Sequence, residues 1–196
     1  MAEVVLFHHV QGLTDGVRAF AEELRAGGHT VHAPDFFDGE RPATIEEGVA
    51  YVQSTGEEVL GDRVSKVVSS LPSGLVYAGF SWGAAMAQRL AQTRPGSRGA
   101  LLYEGCIPLT GEWSFGPWPA GVAVQIHGMD KDPIFALEGD IDAARELVAT
   151  VGAELAELFV YPGDRHLFAD SSLPSYDADA AALVVQRSRE FLSRLS

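Results

Sequence analysis

The sequence has little cysteine and little positive charge. Cys106 is the only cysteine among 196 residues, so no disulfide can form within the chain, which fits a reducing compartment. Lys and Arg together number 14 against 27 Asp and Glu, and the formal net charge is -13. Because nucleic acids and anionic membrane surfaces repel such a chain, we expect neither as a partner.

Long apolar segments are also missing. No apolar run approaches the roughly 20 residues that a membrane-spanning helix needs. The first residues lack the basic start and the long apolar stretch of a signal peptide. Repeats, low-complexity segments and linkers are absent as well. We therefore expect one cytoplasmic domain over residues 1–196, monomeric or homodimeric, that acts on a small molecule.

Short apolar runs alternate with helical patterns along the chain. This order is typical of an α/β domain with a mostly parallel sheet. The predicted strands span residues 4–7, 30–33, 75–78, 100–103, 122–127 and 156–161, and the predicted helices span 16–26, 45–54, 57–70, 84–91, 141–151 and 177–195. Ligands bind beyond the carboxyl ends of the strands in open sheets of this kind, so functional residues should directly follow strands.

The segment Gly79-Phe80-Ser81-Trp82-Gly83 is the most informative motif. It reads Gly-x-Ser-x-Gly and lies between a predicted strand and a predicted helix. This context is that of a nucleophile elbow, where a sharp turn holds the serine above the sheet edge and the following helix N-terminus favours developing negative charge. The glycines leave room for the turn. The alternative is an ordinary strand-to-helix turn that contains a serine.

A nucleophilic serine needs a base, and the base needs an acid that orients it. His166 follows the last predicted strand and is the only histidine beyond the candidate acids, so it is the predicted base. Asp132 and Asp130 both follow the strand at 122–127. Asp132 is favoured because Pro133 fixes the backbone beside its carboxylate, and Asp130 is the alternative. The order serine, acid, histidine is the one that α/β-hydrolases use.

Acyl transfer also needs N–H donors for the developing oxyanion. We predict the backbone amide of Trp82, directly after the serine, and that of Val10, after the first strand, with Gln11 as the alternative to Val10. The neighbouring pair His8-His9 has no Cys, Glu or His partner at ligand spacing, so we expect no metal site. We expect no cofactor either.

Aromatic side chains in loops that follow strands predict an apolar, largely neutral pocket. The candidate pocket residues are His9, Gln11, Phe36, Trp113 and Phe168. Residues 112–119 are a candidate wall or flap over the serine. Glu104 and Cys106 follow another strand and are further candidates to reach the pocket, although the cysteine fits a small buried apolar residue better.

These motifs resemble those of the dienelactone hydrolase family, compact α/β-hydrolases without a lid domain. The likeness runs nearly end to end, through residues 8–13, 28–35, 79–83, 127–133 and 162–169. It implies an α/β-hydrolase fold, with a mostly parallel central sheet flanked by helices. It also implies a triad of Ser81, Asp132 and His166, with the Val10 and Trp82 amides as the oxyanion hole.

The chain departs from the family pattern at three positions. Ser81 stands where typical members carry a cysteine nucleophile, and His9 stands where they carry a glutamate. Asp170 stands where they carry an arginine that holds the substrate carboxylate. The resemblance therefore implies the shared scaffold but not the dienelactone substrate.

The sequence thus predicts a serine hydrolase, a dienelactone hydrolase-like carboxylesterase. It would cleave an ester or lactone of a small neutral substrate through an acyl-enzyme. Thioesterase or amidase chemistry is an alternative, because the residues do not distinguish leaving groups. A non-catalytic or weakly active ligand-binding member of the fold is a second hypothesis, since fold does not fix function. An interaction protein that uses the aromatic loop is a third.

Overall fold

The computed structural model describes residues 1–195, and residue 196, the end of the predicted domain, lies outside the described part. The described residues form strands β1 (Glu3–Phe7), β2 (Thr30–His32), β3 (Val76–Phe80), β4 (Gly99–Tyr103), β5 (Ala123–Met129) and β6 (Ala156–Tyr161). The helices are α1 (Asp15–Ala26), α2 (Ile45–Thr55), α3 (Glu57–Ser69), α4 (Trp82–Thr93), α5 (Asp140–Val151) and α6 (Ala178–Arg194). None of the described helices has both the length and the apolar character to span a membrane.

The six strands form one parallel sheet in the order β2-β1-β3-β4-β5-β6. Val4 and Leu6 join the core that packs with α1 and α6. Val5 and Phe7, on the opposite face, join the core that packs with α3, α4 and α5. A sheet buried on both faces explains why the strands read as continuous apolar runs. The predicted architecture, a mostly parallel sheet flanked by helices, is confirmed.

Side chains define where several helices begin. Thr14, Thr44 and Asp177 precede α1, α2 and α6, and each side chain accepts a hydrogen bond from a backbone N–H in the first turn. Such caps satisfy N–H groups that have no partner within the helix.

The boundaries around the glycine-rich motifs differ from the sequence prediction. β3 continues to Phe80 instead of ending at residue 78, because Gly79 and Phe80 still pair with β4. α4 then begins at Trp82 instead of residue 84. β5 likewise runs to Met129, since Gly128 and Met129 pair with β6. Glycine is disfavoured in strands, so the sequence pattern ends too early at both places.

The order of the strands creates a crevice. From β1 the chain moves to one side to form β2, and it then returns to form β3 on the other side of β1. The loops after β1 and β3 therefore leave the sheet side by side and in opposite directions. Such a switch point is where open α/β sheets bind ligands.

Candidate active site

Ser81 lies in a strained turn between β3 and α4. Its φ of 51° and ψ of -111° are rare for a residue with a side chain, and backbone strain of this kind is concentrated at functional sites. The Ser81 N–H donates to the Tyr103 carbonyl at 2.8 Å, and the Ser81 carbonyl accepts from Ala84 at 2.8 Å. These bonds hold the turn at both ends.

The two glycines of the motif allow close backbone approach. A Cβ at Gly79 would collide with the Gly83 carbonyl and lie 2.8 Å from the Ala84 nitrogen. A Cβ at Gly83 would lie 2.5 Å from the carbonyl oxygens of Phe7 and His8. The motif therefore lets β3, α4 and the end of β1 meet, which places Ser81 beside the loop after β1.

His166 joins Ser81 to Asp132 by hydrogen bonds. Its Nε2 lies 2.9 Å from Ser81 Oγ, and its Nδ1 lies 2.7 Å from Asp132 Oδ2. A carboxylate beside Nδ1 favours the tautomer in which Nδ1 carries the proton and Nε2 accepts from the serine hydroxyl. The structure thus places all three sequence-predicted residues in one chain of contacts.

Asp132 contacts the histidine, whereas Asp130 has a different position. Asp132 is fully buried, and its Oδ1 accepts from the backbone N–H groups of Ile134 at 2.8 Å and Phe135 at 3.2 Å. Asp130 is exposed and accepts from the Gly163 N–H at 2.9 Å. Of the two acids that sequence analysis left open, only Asp132 is hydrogen-bonded to His166.

The electrostatics of His166 favour a proton on the ring. Burial lowers the pKa of His166, but the hydrogen bond to Asp132 and the negative charges of Glu104, Asp132 and Asp140 outweigh that effect. The pKa of His166 is therefore raised above its ordinary value. An imidazole in this setting is a stronger base than a free one.

Val10 and Trp82, whose backbone amides are the predicted oxyanion donors, line the same cleft as Ser81. Neither N–H donates a hydrogen bond within the described residues. The alternative amide, that of Gln11, already donates to His9 Nδ1 at 3.2 Å. Trp82 is also the first residue of α4, where the helix dipole favours negative charge.

The cleft beside Ser81 has a volume of about 680 Å³. Its apolar lining includes Ile45, Val49 and Val52 of α2 together with Ile134. The charged residues among its lining, Glu46 and Glu138, are both acidic. Sequence analysis did not identify this wall, although residues 45, 49 and 52 recur at the spacing of one helix face.

The candidate pocket residues lie elsewhere, and none of the five is among the residues lining this cleft. Phe36 and Phe168 are buried, Phe36 stacked on Phe7 and Phe168 packed against Tyr161. Trp113 is 75% exposed, and Gln11 Nε2 donates to the Ala43 carbonyl. Their contact with substrate, like the flap at 112–119, stays a prediction.

His9 and Asp170, both departures from the family pattern, contact each other. His9 Nε2 lies 2.7 Å from Asp170 Oδ2, and both side chains are completely buried. Burial raises the pKa of Asp170, but hydrogen bonds from His9, Ser172 and Thr14 outweigh it and lower the pKa to about 2. The carboxylate therefore ties the loop after β1 to the segment after β6.

The adjacent histidines use all four ring nitrogens in hydrogen bonds. His8 Nδ1 bonds the His9 carbonyl at 2.8 Å, and His8 Nε2 accepts from the Phe36 N–H at 3.1 Å. Burial lowers the pKa of His8 to about 4. A neutral, fully bonded ring of this kind acts as a structural connection between loops.

Glu104 is the site residue whose position sequence analysis did not resolve. It directly follows β4, is buried, and has a φ of 56°. Its Oε1 accepts from the Phe168 N–H at 2.9 Å, and its Oε2 has no hydrogen-bond partner. Burial raises the pKa of Glu104 to about 7, against the opposing effects of His166 and of the Phe168 and Leu167 N–H groups. In the sequence, Glu104 is indicated only by its position as an acid directly after a predicted strand.

Glu104, Asp132 and His166 each place one donor atom within 4.8 Å of the others, a spacing at which three residues can share a metal ion. Both Asp132 oxygens and both His166 nitrogens already have hydrogen-bond partners within the protein. The bonding pattern is therefore that of an acid–base cluster, and the expectation of no metal stays a prediction.

The parallel sheet, the strained serine after β3 and the histidine after β6 define the chain as an α/β-hydrolase. The dienelactone hydrolase family matches residues 1–196, and the chain belongs to this family. It is therefore a hydrolase that acts on ester bonds. No curated protein matches the sequence.

Solved structures with the same fold cover nearly the whole chain. A proposed dienelactone hydrolase from Klebsiella pneumoniae has a TM-score of 0.73 at 20% identity, over 99% of this chain and 87% of that chain. A dienelactone hydrolase-like promiscuous phosphotriesterase from metagenomic libraries has a TM-score of 0.74 at 19% identity, over 100% and 87%. An esterase of Pyrococcus furiosus has a TM-score of 0.68 at 17% identity, over 98% and 83%. At these identities the likeness shows the fold alone.

Proposed function

We propose that residues 1–196 act as one serine hydrolase domain that cleaves a carboxylic ester or lactone through an acyl-enzyme. The observation that carries this proposal is the continuous contact from Ser81 Oγ through His166 to Asp132, at 2.9 and 2.7 Å. A base that accepts from the nucleophile, and an acid that orients the base, are the requirements for activating a serine.

In the proposed mechanism, Ser81 Oγ attacks the substrate carbonyl carbon while His166 Nε2 takes the serine proton. The Val10 and Trp82 amides donate to the oxyanion of the tetrahedral intermediate. Asp132 stabilises the imidazolium and keeps the ring oriented. His166 then gives its proton to the leaving alkoxide, and the acyl group remains on Ser81. Water, deprotonated by the same histidine, releases the carboxylic acid and restores the serine.

The lining of the cleft supports the proposal that the substrate is small and uncharged and has an apolar portion. Its lining combines the α2 side chains Ile45, Val49 and Val52 with the acidic Glu46 and Glu138. Carboxylates near the cleft repel an anionic substrate, and the net charge of -13 acts in the same direction over a longer range. Asp170 stands at the position where typical family members carry an anion-binding arginine. Its carboxylate is buried against His9.

The experiment compares wild-type protein with Ser81→Ala on a panel of p-nitrophenyl esters, lactones, thioesters and amides. Turnover by the wild type, stoichiometric labelling of Ser81 by a fluorophosphonate probe, and loss of both in Ser81→Ala are the expected results. Equal turnover by the two proteins would exclude Ser81 as the nucleophile. Tight binding without labelling or turnover would favour the non-catalytic alternative, and preferential thioester or amide cleavage would change the leaving group.

A further inference from the structure

Glu104 occupies the strand position between the serine and its acid. Ser81 follows β3, Glu104 follows β4, and Asp132 lies in the loop after β5, in a sheet whose order is β3-β4-β5-β6. The chain after β6 must pass over the ends of β5 and β4 for His166 to reach Ser81. Glu104 therefore lies beneath the segment that carries the histidine.

Contacts at this crossing join Glu104 to that segment. Glu104 Oε1 accepts from the Phe168 N–H, two residues after His166, at 2.9 Å. Leu167, between them, has a φ of 61°, which a leucine rarely adopts and which needs support from its surroundings. The Phe168 contact supplies such support.

The second oxygen of Glu104 has no partner. Oε2 is buried without a hydrogen bond, although a buried polar atom normally has one. One oxygen of Glu104 lies within 4.8 Å of a His166 nitrogen and of an Asp132 oxygen. A carboxylate at this distance from an ionisable ring acts on the charge of that ring.

We propose that Glu104 is a second carboxyl group for His166: it holds the His166 segment over β4 and adds negative charge beside the imidazolium. This inference rests on the proposed function, and it makes Glu104 a positioning residue, because it acts through His166. The charged groups that face the ring are Asp132 after β5, Asp140 at the start of α5 and Glu104 after β4, all acidic. Asp140 Oδ2 also accepts from the Cys106 N–H at 3.0 Å, and Glu104 is the one of these three with a buried oxygen that has no hydrogen-bond partner.

The test uses Glu104→Gln in the full-length protein. Glutamine keeps an oxygen that can accept from the Phe168 N–H, while an uncharged NH2 group replaces the second carboxylate oxygen. Glu157→Gln is the matched control, because Glu157 is a half-buried carboxylate on β6, away from the site, bonded to Gln125 and Arg194. For each protein, kcat and KM for p-nitrophenyl acetate are measured against pH, with thermal unfolding and fluorophosphonate labelling of Ser81.

At about pH 8, where Glu104 with its pKa of about 7 is largely ionised, we expect Glu104→Gln to lower kcat about tenfold with KM unchanged, since less negative charge then stabilises the imidazolium of the transition state. The acid limb of kcat/KM should move to lower pH, because losing a nearby negative charge lowers the pKa of a base. Glu157→Gln should change neither. An unmoved acid limb with wild-type kcat would overturn the inference.

One further measurement, together with the labelling and activity of the wild type, completes the test. If Glu104→Gln does not fold, NMR titration of the His166 ring in the wild-type protein should show two steps, one for the ring and one for the Glu104 carboxyl. A single step would overturn the inference.

A wild type that is neither labelled nor active would count against Ser81 as the nucleophile. A labelled, active wild type with an unchanged Glu104 variant would count against Glu104 alone.

Discussion

Gly48 of α2 packs directly against the carbonyl group of Val10. A Cβ at Gly48 would collide with the Val10 carbonyl oxygen and lie 2.7 Å from the carbonyl carbon. Gly48 is the residue at which α2 is buried, while Val49 on the same helix lines the cleft beside Ser81. The helix thus forms a wall of the cleft and supports the loop that carries a proposed oxyanion donor.

Gly48→Ala should therefore impair catalysis as well as stability. The added methyl group must push α2 or the Val10 loop away, which misplaces the Val10 amide. We expect kcat to fall about 10- to 100-fold, somewhat less than the loss of a whole oxyanion donor. Gly61→Ala in α3 is the matched control, because nothing lies within 4 Å of the position and alanine is the better helix former. Similar kcat values for the two variants would contradict the role given to Val10.

The two neighbouring acids should differ strongly when each is neutralised. Asp132→Asn removes the charge that orients His166 and stabilises its protonated form, so kcat should fall by about 10³- to 10⁴-fold. Asp130→Asn removes a carboxylate that only accepts from the Gly163 N–H, so kcat should stay within about threefold of wild type. Steady-state kinetics on one ester decide between them. The reverse order of effects would assign the acid role to Asp130.

The parts of the site that could be predicted from the sequence alone are those that depend on local motifs. The turn at Ser81 and the positions of Asp132 and His166 follow from short patterns placed directly after strands, and parallel strands bring such positions to one edge. The position of the cleft wall depends on where α2 crosses the Val10 loop, and no local sequence pattern predicts that crossing. The contact between His9 and Asp170 joins residues 161 positions apart, and it forms only when β1 and β6 share one sheet. Long-range contacts of this kind depend on the complete strand order.

Asp170 should contribute to stability in a pH-dependent way. Its pKa is lowered to about 2 in the folded protein, from about 3.9 in an unfolded chain. The contribution is therefore present above about pH 4 and is lost as pH falls towards 2, and it amounts to about 2 kcal/mol. Asp170→Asn should be less stable than wild type by about that amount at pH 7 and nearly equal to it at pH 2, as measured by urea unfolding. Asp164→Asn, at an exposed aspartate, is the control and should match wild type at both pH values. A constant difference between pH 2 and pH 7 would contradict the ionised, hydrogen-bonded carboxylate.

A substitution at Val49 tests whether the cleft wall formed by α2 contacts the acyl part of the substrate. Val49 is 40% exposed and lines the cleft, whereas Val59 on α3 is 45% exposed and is not among the cleft residues. Val49→Asn places a polar amide where an apolar chain would lie, so KM for p-nitrophenyl hexanoate should rise about tenfold. KM for the acetate ester should change little, because its acyl chain is too short to reach the wall. Val59→Asn makes the same chemical change outside the cleft and should leave both KM values unaltered. If Val49→Asn raised KM equally for the two esters, the wall would contact the leaving group or only shape the cleft entrance, and the acyl chain would lie on another surface.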